Sequence, residues 1–218
     1  MLTGIHAIIF DLDGTLYVSD GLAQEVNLAV RRLIARHQGI EPEAAADLIR
    51  DTRNRLSLAS GVETSLTSVC SELGVSPRQF HEALNPEITP ESYLAPDERV
   101  AALLSSLKKH YELYVYTNNN RTLSSRIISA LGLSGLFTGV VTIEDSWRPK
   151  PDRSALRALL SAIGRLPEEC LFVGDRFDID LRLPAEMGSA VMLISSVDDL
   201  FRLEIFLMFI RTCLSTPA

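Results

Sequence analysis

Apolar positions along the chain follow two alternating rhythms. Short runs rich in β-branched and aromatic residues predict strands at Ala7–Phe10, Tyr111–Tyr116, Gly139–Thr142, Leu171–Val173 and Ala190–Ile194. Between them, apolar residues recur every three to four positions. Val100, Leu103, Leu104 and Leu107 mark one face of a helix over Val100–His110, and the same spacing predicts helices over Leu123–Leu131 and Ser154–Ile163. Strands alternating with helices of this length predict an α/β fold with a parallel sheet covered on both faces. The rhythm breaks from about residue 18 to residue 95. That stretch predicts helices only, at Val26–Arg36, Pro42–Arg53, Thr64–Leu73 and Pro77–Leu84, and Pro86, Pro90 and Pro96 punctuate the return to alternation. The expected organisation is a core, 1–17 and 96–218, carrying a helical insertion, 18–95, between its first and second strands. An insertion at that point sits over the end of the first strand, where a lid belongs.

Composition narrows the class. The chain has 218 residues, 46% of them hydrophobic, enough for a generous core with a smaller appended domain. Its net charge of -7 argues against a nucleic-acid polymer as partner, because broad attraction to phosphate backbones needs a basic surface. Cys70, Cys170 and Cys213 are scattered and odd in number, which fits buried thiols in a reducing cytoplasm rather than a disulfide framework. No basic segment followed by a long apolar one opens the chain, so no signal peptide is expected. The apolar run Ile205–Ile210 is too short for a membrane span. It reads as a terminal helix docked on the core, with a homodimer or membrane-surface contact as the other reading.

Candidate chemistry gathers at the ends of the predicted strands. Asp11-Leu12-Asp13-Gly14-Thr15-Leu16 follows the first strand directly. Side chains at i and i+2 share a face, so Asp11 and Asp13 converge, and two close carboxylates call for a cation or for a division into one ionised and one protonated group. Thr117-Asn118 ends the second strand, Lys150 precedes a helix, and Gly174-Asp175, with Asp178 and Asp180 beyond it, ends the fourth. Open parallel sheets bind ligands at that edge. The residue types complement one another. An ionised Asp11 can attack phosphorus without a general base, forming an aspartyl-phosphate. Asp13 can give a proton to the leaving alkoxide and later take one from water. Asp175 adds a third carboxylate to a hard oxygen site suited to Mg²⁺. Thr117 and Asn118 offer neutral donors to phosphoryl oxygens, Lys150 offers a compact positive charge, and Asp180 can hold Lys150 or a metal's waters.

Together, in this order, these residues resemble the four motifs of the haloacid dehalogenase-like hydrolase superfamily: Asp11-Leu12-Asp13-Gly14-Thr15-Leu16, Thr117-Asn118, Lys150, and Gly174-Asp175 with Asp180. The resemblance spans about Ile5 to Ile194. It implies a Rossmann-like three-layer core with a parallel sheet, a mobile helical cap of the C1 type inserted after the first strand, and Mg²⁺-dependent phosphoryl transfer. It implies Asp11 as nucleophile, Asp13 as acid and base, Thr117 as phosphate ligand and Lys150 as charge stabiliser. The implied Mg²⁺ ligands are Asp11, the backbone carbonyl of Asp13, and Asp175. Asp13-Gly14-Thr15-Leu16-Tyr17 with Gly21-Leu22, Tyr93-Leu94-Ala95-Pro96-Asp97, and Thr117-Asn118-Asn119-Asn120 are similar to the branch containing pyrimidine 5'-nucleotidases. Two positions depart from the common pattern: Trp147 stands where glycine is frequent, and Leu183-Pro184 where small residues are. An acidic residue at Asp13 favours phosphate esters over halides, whose displacement needs no acid for the leaving group. The segment from Ser19 to Pro96 has no lysine of the kind that phosphonate-cleaving relatives use.

The core motifs hold only phosphate and metal, so the insertion must supply specificity. Its polar candidates are Arg31, Arg32, His37, Arg50, Arg53, Asn54 and Arg55, with Arg53-Asn54-Arg55 the densest cluster. His37, near Gly39, reads as a residue at a helix C-terminus interacting with the dipole, and Arg78 and His81 have no evident constellation around them. The expected function is hydrolysis of a small phosphorylated metabolite, nucleotides among the candidates. A phosphomutase or phosphotransferase on the same site, and an idle binding or regulatory domain, are the alternatives.

Overall fold

The computed structural model describes residues 4–208. Five strands, β1 (Ala7–Phe10), β2 (Glu112–Tyr116), β3 (Gly139–Val141), β4 (Cys170–Gly174) and β5 (Ala190–Leu193), form one sheet in the order β3-β2-β1-β4-β5. Every pairing is parallel. The strands match the sequence expectation to within a residue or two at each end. β1 and β4 are buried throughout, whereas β3 and β5 at the edges are only partly covered. Continuous apolar runs mark strands covered on both faces, which is why β1 and β4 carry no charged residue until they leave the sheet.

Alternation along the strands divides the core into two layers. Ile8, Phe10, Leu113, Val115, Leu171 and Val173 face one side, against α5 (Glu98–Leu107) and α6 (Arg121–Ala130). Ala7, Ile9, Tyr114, Tyr116 and Phe172 face the other, against Leu156, Leu159 and Leu160 of α7 (Arg153–Ile163). The chain is thus an α/β protein with a Rossmann-like sheet between helical layers. A π-helical turn over Phe177–Leu181 and the short α8 (Arg182–Glu186) link β4 to β5.

The stretch between β1 and β2 is helical, as its periodicity predicts: α1 (Asp20–Gln38), α2 (Pro42–Ser60), α3 (Leu66–Glu72) and α4 (Pro77–Leu84). Two boundaries differ from expectation. α1 begins well before Val26 because Ser19 caps it, accepting from the Leu22 N–H at 3.2 Å; a cap can hold a first turn that has little apolar patterning. α2 runs past Arg53 to Ser60 because nothing stops it before Gly61, whose φ of +70° ends the helix. His37 lies in the last turn of α1, where the dipole favours it. The apolar cluster of the first sheet face continues into this helical segment through Leu16, Tyr17, Leu22 and Ile88.

Of the apolar run Ile205–Ile210, residues 209–210 lie outside the described residues, as does Cys213. Residues 203–208 are helical, with Leu203 and Leu207 buried in the core and Ile205 exposed. Among the described residues, no helix is long and apolar enough to cross a membrane.

Arg126 of α6 fastens the helical segment to the sheet layer. It donates to the Ile88 carbonyl at 2.9 Å and grips both oxygens of Glu91 at 2.7 and 2.6 Å. Arg126→Ala leaves the carbonyl of the fully buried Ile88 without that donor. A loss of about 1–2 kcal/mol is expected in urea unfolding; a midpoint equal to wild type would show that the clamp contributes nothing.

Candidate active site

Strand register brings the site together. Phe10 pairs with Val115 on one side and Val173 on the other, so Asp11, Thr117 and Asp175 leave the sheet at one edge within a residue of the same level. The Asp11 N–H donates to the Val173 carbonyl at 2.9 Å and the Thr117 N–H to the Val141 carbonyl at 3.0 Å. Asp11 and Thr117 are thereby held by the backbone that ends their strands.

Lys150 is the centre of the arrangement. Its ammonium lies 2.6 Å from Asp11 Oδ1, 2.6 Å from Asp180 Oδ1 and 2.9 Å from the Tyr116 carbonyl. Lysine and both carboxylates are almost wholly buried. Two features of the chain make this possible. The Asn118 side chain accepts the Lys150 N–H at 2.7 Å, pinning the loop. The π-helical turn swings Asp180 back over Gly174, where a Cβ would come within 2.6 Å of Asp180 Cβ. Asp178 instead turns outward to Arg182 at 3.5 Å.

The other predicted residues take distinct places. Asp13 accepts from the Asn119 amide at 2.7 Å and from the Tyr17 hydroxyl, so its carboxyl is fixed from two sides. The Thr117 hydroxyl is buried and accepts from the Asn119 N–H at 3.1 Å, leaving its own proton free for a ligand. The Asn118 side chain, expected to meet phosphate, is committed here to the Lys150 backbone. Asn119 and Tyr17 hold Asp13, roles that sequence spacing did not reveal.

Three carboxyl groups could hold a metal: Asp11, Asp175 and Asp180 each offer an oxygen, all within 4.8 Å of one another. The Asp13 side chain is outside this group, so any part it has in metal binding falls to its backbone carbonyl. The fit to a hard divalent cation rests on Asp175, whose Oδ1 is buried with no hydrogen-bond partner. Gly14 makes room for it: φ there is +84°, and a Cβ would meet Asp175 Oδ2 at 2.3 Å. Charge balance points the same way. Four carboxyl groups (Asp11, Asp13, Asp175, Asp180) face the cations Lys150 and Arg176, the latter 3.8 Å from Asp175. Burial pushes the Asp11 carboxyl up to about 7 against the pull of Lys150, with Asp180 and Asp13 adding to the rise. Burial also raises Asp175. Burial alone would lower Lys150, yet its two carboxylate partners outweigh this and hold it as an ammonium ion.

Above Asp13 lies a cavity of about 360 Å³ between α1, α3, α4 and the strand ends. Its lining includes His81 of α4 and Arg176. The cluster expected to face the substrate is elsewhere. Arg55 pairs with Glu72 at 2.8 Å, Asn54 lines a separate open groove beside Asp178, and Arg53 is absent from the cavity lining. Arg32 grips Glu87 and Arg50 pairs with Asp47 on the surface.

Arg78 and His81 do have a constellation, which the sequence could not show. The Arg78 guanidinium stacks 4.7 Å from the centre of the Trp147 ring, and the His81 ring lies 6.5 Å from it. Trp147 has φ +54°, the left-handed region that favours glycine. The glycine that the family resemblance leads one to expect here would adopt this backbone without strain, whereas tryptophan does not. The backbone cost is roughly 1–2 kcal/mol, set against the stacking on Arg78 and a 2.6 Å bond from the Trp147 N–H to the Ile143 carbonyl.

Two outcomes follow. Gly14→Ala should weaken divalent-cation binding at least tenfold in calorimetry, since the new methyl displaces Asp175; unchanged affinity would mean the cluster is not the site. Asp11 is raised above its unfolded value, so its ionisation disfavours the metal-free fold as pH rises towards about 7. A cation must displace that proton below the folded value. Affinity should therefore tighten from pH 6 to pH 8 with proton release at the lower pH, and a flat profile would contradict the raised value.

The haloacid dehalogenase-like hydrolase family matches residues 5–188. A phosphoglycolate phosphatase of Aquifex aeolicus is 28% identical over 194 residues, covering 87% of this chain and 84% of the relative. The pyrophosphatase PpaX of Bacillus velezensis is 29% identical over 175 residues, 79% of this chain and 76% of its own. A HAD phosphatase from Thermococcus onnurineus shares the fold, with a TM-score of 0.60 at 19% identity over 93% of this chain and 98% of that one. With strand order, site geometry and a family match over most of its length in agreement, the chain belongs to the haloacid dehalogenase-like hydrolases.

Proposed function

We propose that this protein is a Mg²⁺-dependent phosphatase of small phosphomonoesters that works through an aspartyl-phosphate on Asp11. The observation that carries the reading is the buried Lys150 ammonium held 2.6 Å from Asp11 Oδ1, beside an Asp175 oxygen that makes no hydrogen bond. Curated relatives that hydrolyse phosphoglycolate and pyrophosphate support the reaction class. In this reading, residues 18–95 are the cap and 1–17 with 96–218 the catalytic core.

The chemistry divides among the side chains. An Asp11 oxygen attacks phosphorus, and the bond from phosphorus to the ester oxygen breaks with its electron pair on that oxygen. Asp13, fixed by Tyr17 and Asn119, gives the oxygen a proton. Asp13 then takes a proton from water, whose oxygen attacks phosphorus and releases Asp11 and inorganic phosphate. Lys150 offsets negative charge as it builds on the phosphoryl oxygens, and Thr117 donates its free hydroxyl proton to one of them. Asn118 and Asp180 position Lys150. Asp11, Asp175 and the Asp13 carbonyl would hold Mg²⁺, and Asp180, grouped with Asp11 and Asp175, would bind its waters. When bound, Mg²⁺ supplies Lewis-acid charge that lets an anionic nucleophile approach an anionic ester.

Purified protein with Mg²⁺ should release phosphate from p-nitrophenyl phosphate, and chelation should stop it. Asp11→Asn should lower the rate by at least 10³-fold with the fold intact by circular dichroism. An active Asp11→Asn enzyme would sink the mechanism. Recovery of the phosphoryl group on a second hydroxyl rather than as free phosphate would favour a phosphotransferase.

A further inference from the structure

We infer that the cavity above Asp13 selects phosphomonoesters whose leaving group is uncharged and partly apolar, with one polar function that bonds to His81. The inference rests on the phosphatase reading and adds the substrate class. Four observations carry it.

The first is size. A volume of about 360 Å³ is at the lower end for small-molecule sites, enough for an organic group of one or two small rings. The second is the lining. Leu22, Val26, Leu66, Phe80, Leu84 and Leu123 supply an apolar wall. Among the described residues that line the cavity, Arg176 is the only cation, and its charge already faces Asp175 at 3.8 Å and Asp180 at 4.0 Å. A second anionic group on the substrate would lose its hydration here without gaining a free positive partner, and an unpaired buried charge is costly. The arginines of α2 do not line the cavity, so the helical segment supplies no cation from there.

The third is His81. It is 4% exposed and lines the cavity, and its Nε2 is buried with no hydrogen-bond partner in the protein. Buried polar atoms are rarely left without a partner, so this one is reserved for something that enters. The fourth is the support behind the ring. Phe80 packs edge-on at 4.8 Å, Trp147 stands 6.5 Å away, and the Asn120 amide reaches the His81 carbonyl at 3.5 Å. Burial pushes the imidazole down to about 4, so it is neutral at neutral pH and presents a donor at one nitrogen and an acceptor at the other. A neutral ring suits a neutral partner: a hydroxyl, an amide or a ring nitrogen or oxygen.

Matched substrates test the charge rule on the wild-type enzyme without any variant. 2-Hydroxyethyl phosphate and phosphoglycolate differ by a hydroxymethyl against a carboxylate. The first should have the higher kcat/KM by tenfold or more, and uridine 5'-monophosphate should exceed both. Equal or better turnover of phosphoglycolate overturns the proposal while leaving the phosphatase reading intact. Release of phosphate from none of these esters, nor from phenyl phosphate, overturns the phosphatase reading and this proposal with it.

The His81 contact is tested by His81→Phe, which keeps the ring and removes both nitrogens. It should lower kcat/KM for uridine 5'-monophosphate at least tenfold more than for phenyl phosphate, mainly through KM. His81→Gln, which retains a polar group, should recover part of that loss. An equal fall on both substrates would assign His81 a structural role only and overturn the contact.

Discussion

The Lys150 ammonium, shared between Asp11 and Asp180 at 2.6 Å each, is the interaction on which the rest of the site depends. A buried ion pair is an uncertain source of stability, because desolvating the charges offsets much of their attraction. Its burial at the sheet edge therefore speaks for chemistry rather than for folding. Much of the nearby irregular structure serves it. The Asn118 side chain is diverted to hold the Lys150 backbone, Gly174 leaves space for Asp180, and Asp180 is brought back by a π-helical turn, a form often found at functional sites. Removing either carboxylate would leave the ammonium with a single ionic partner, so the three residues act as one unit.

The same charge count explains the character of the neighbouring cavity. Four carboxyl groups outnumber the cations around the strand ends, and a divalent cation would correct that excess where the phosphate must bind. In the cavity beyond, Leu22, Val26, Phe80 and Leu84 form an apolar wall with His81 among them. The reaction centre and the wall above it thus have opposite preferences, one for an anion and one for a neutral group. A phosphomonoester joins those two characters within one molecule. Trp147 ties the halves together: a core loop takes up a left-handed backbone to place an indole against Arg78 and near His81 of α4.

Much of the core could be read from the chain because its signals are local. A strand buried on both faces must be continuously apolar, so the first polar residue after it marks the sheet edge; Asp11, Thr117 and Asp175 are such residues. The helical segment was legible as helices for the same reason, through three-to-four spacing. Its substrate-facing residues were not. Arg53, Asn54 and Arg55 stand out by type, yet α2 carries them away from the cavity. His81 looks ordinary beside Phe80 in the sequence. Its importance lies in burial and in an unpartnered nitrogen, which depend on neighbours far along the chain. Asn118 is a similar case: its residue type suits phosphate, but the fold directs its amide to Lys150.

By itself, then, the sequence determined the α/β class, the helical insertion after β1, and the order in which carboxylates, threonine and lysine meet the sheet edge. These follow from periodicity and from strand ends, which need only nearby residues. The tertiary structure alone decided that Lys150 bridges Asp11 and Asp180, that Asp175 keeps an oxygen without a hydrogen bond, and that His81 rather than the arginine cluster faces the cavity. Those outcomes turn on distances between residues remote in sequence and on which side chains lose contact with water, and neither is encoded in any short stretch of chain.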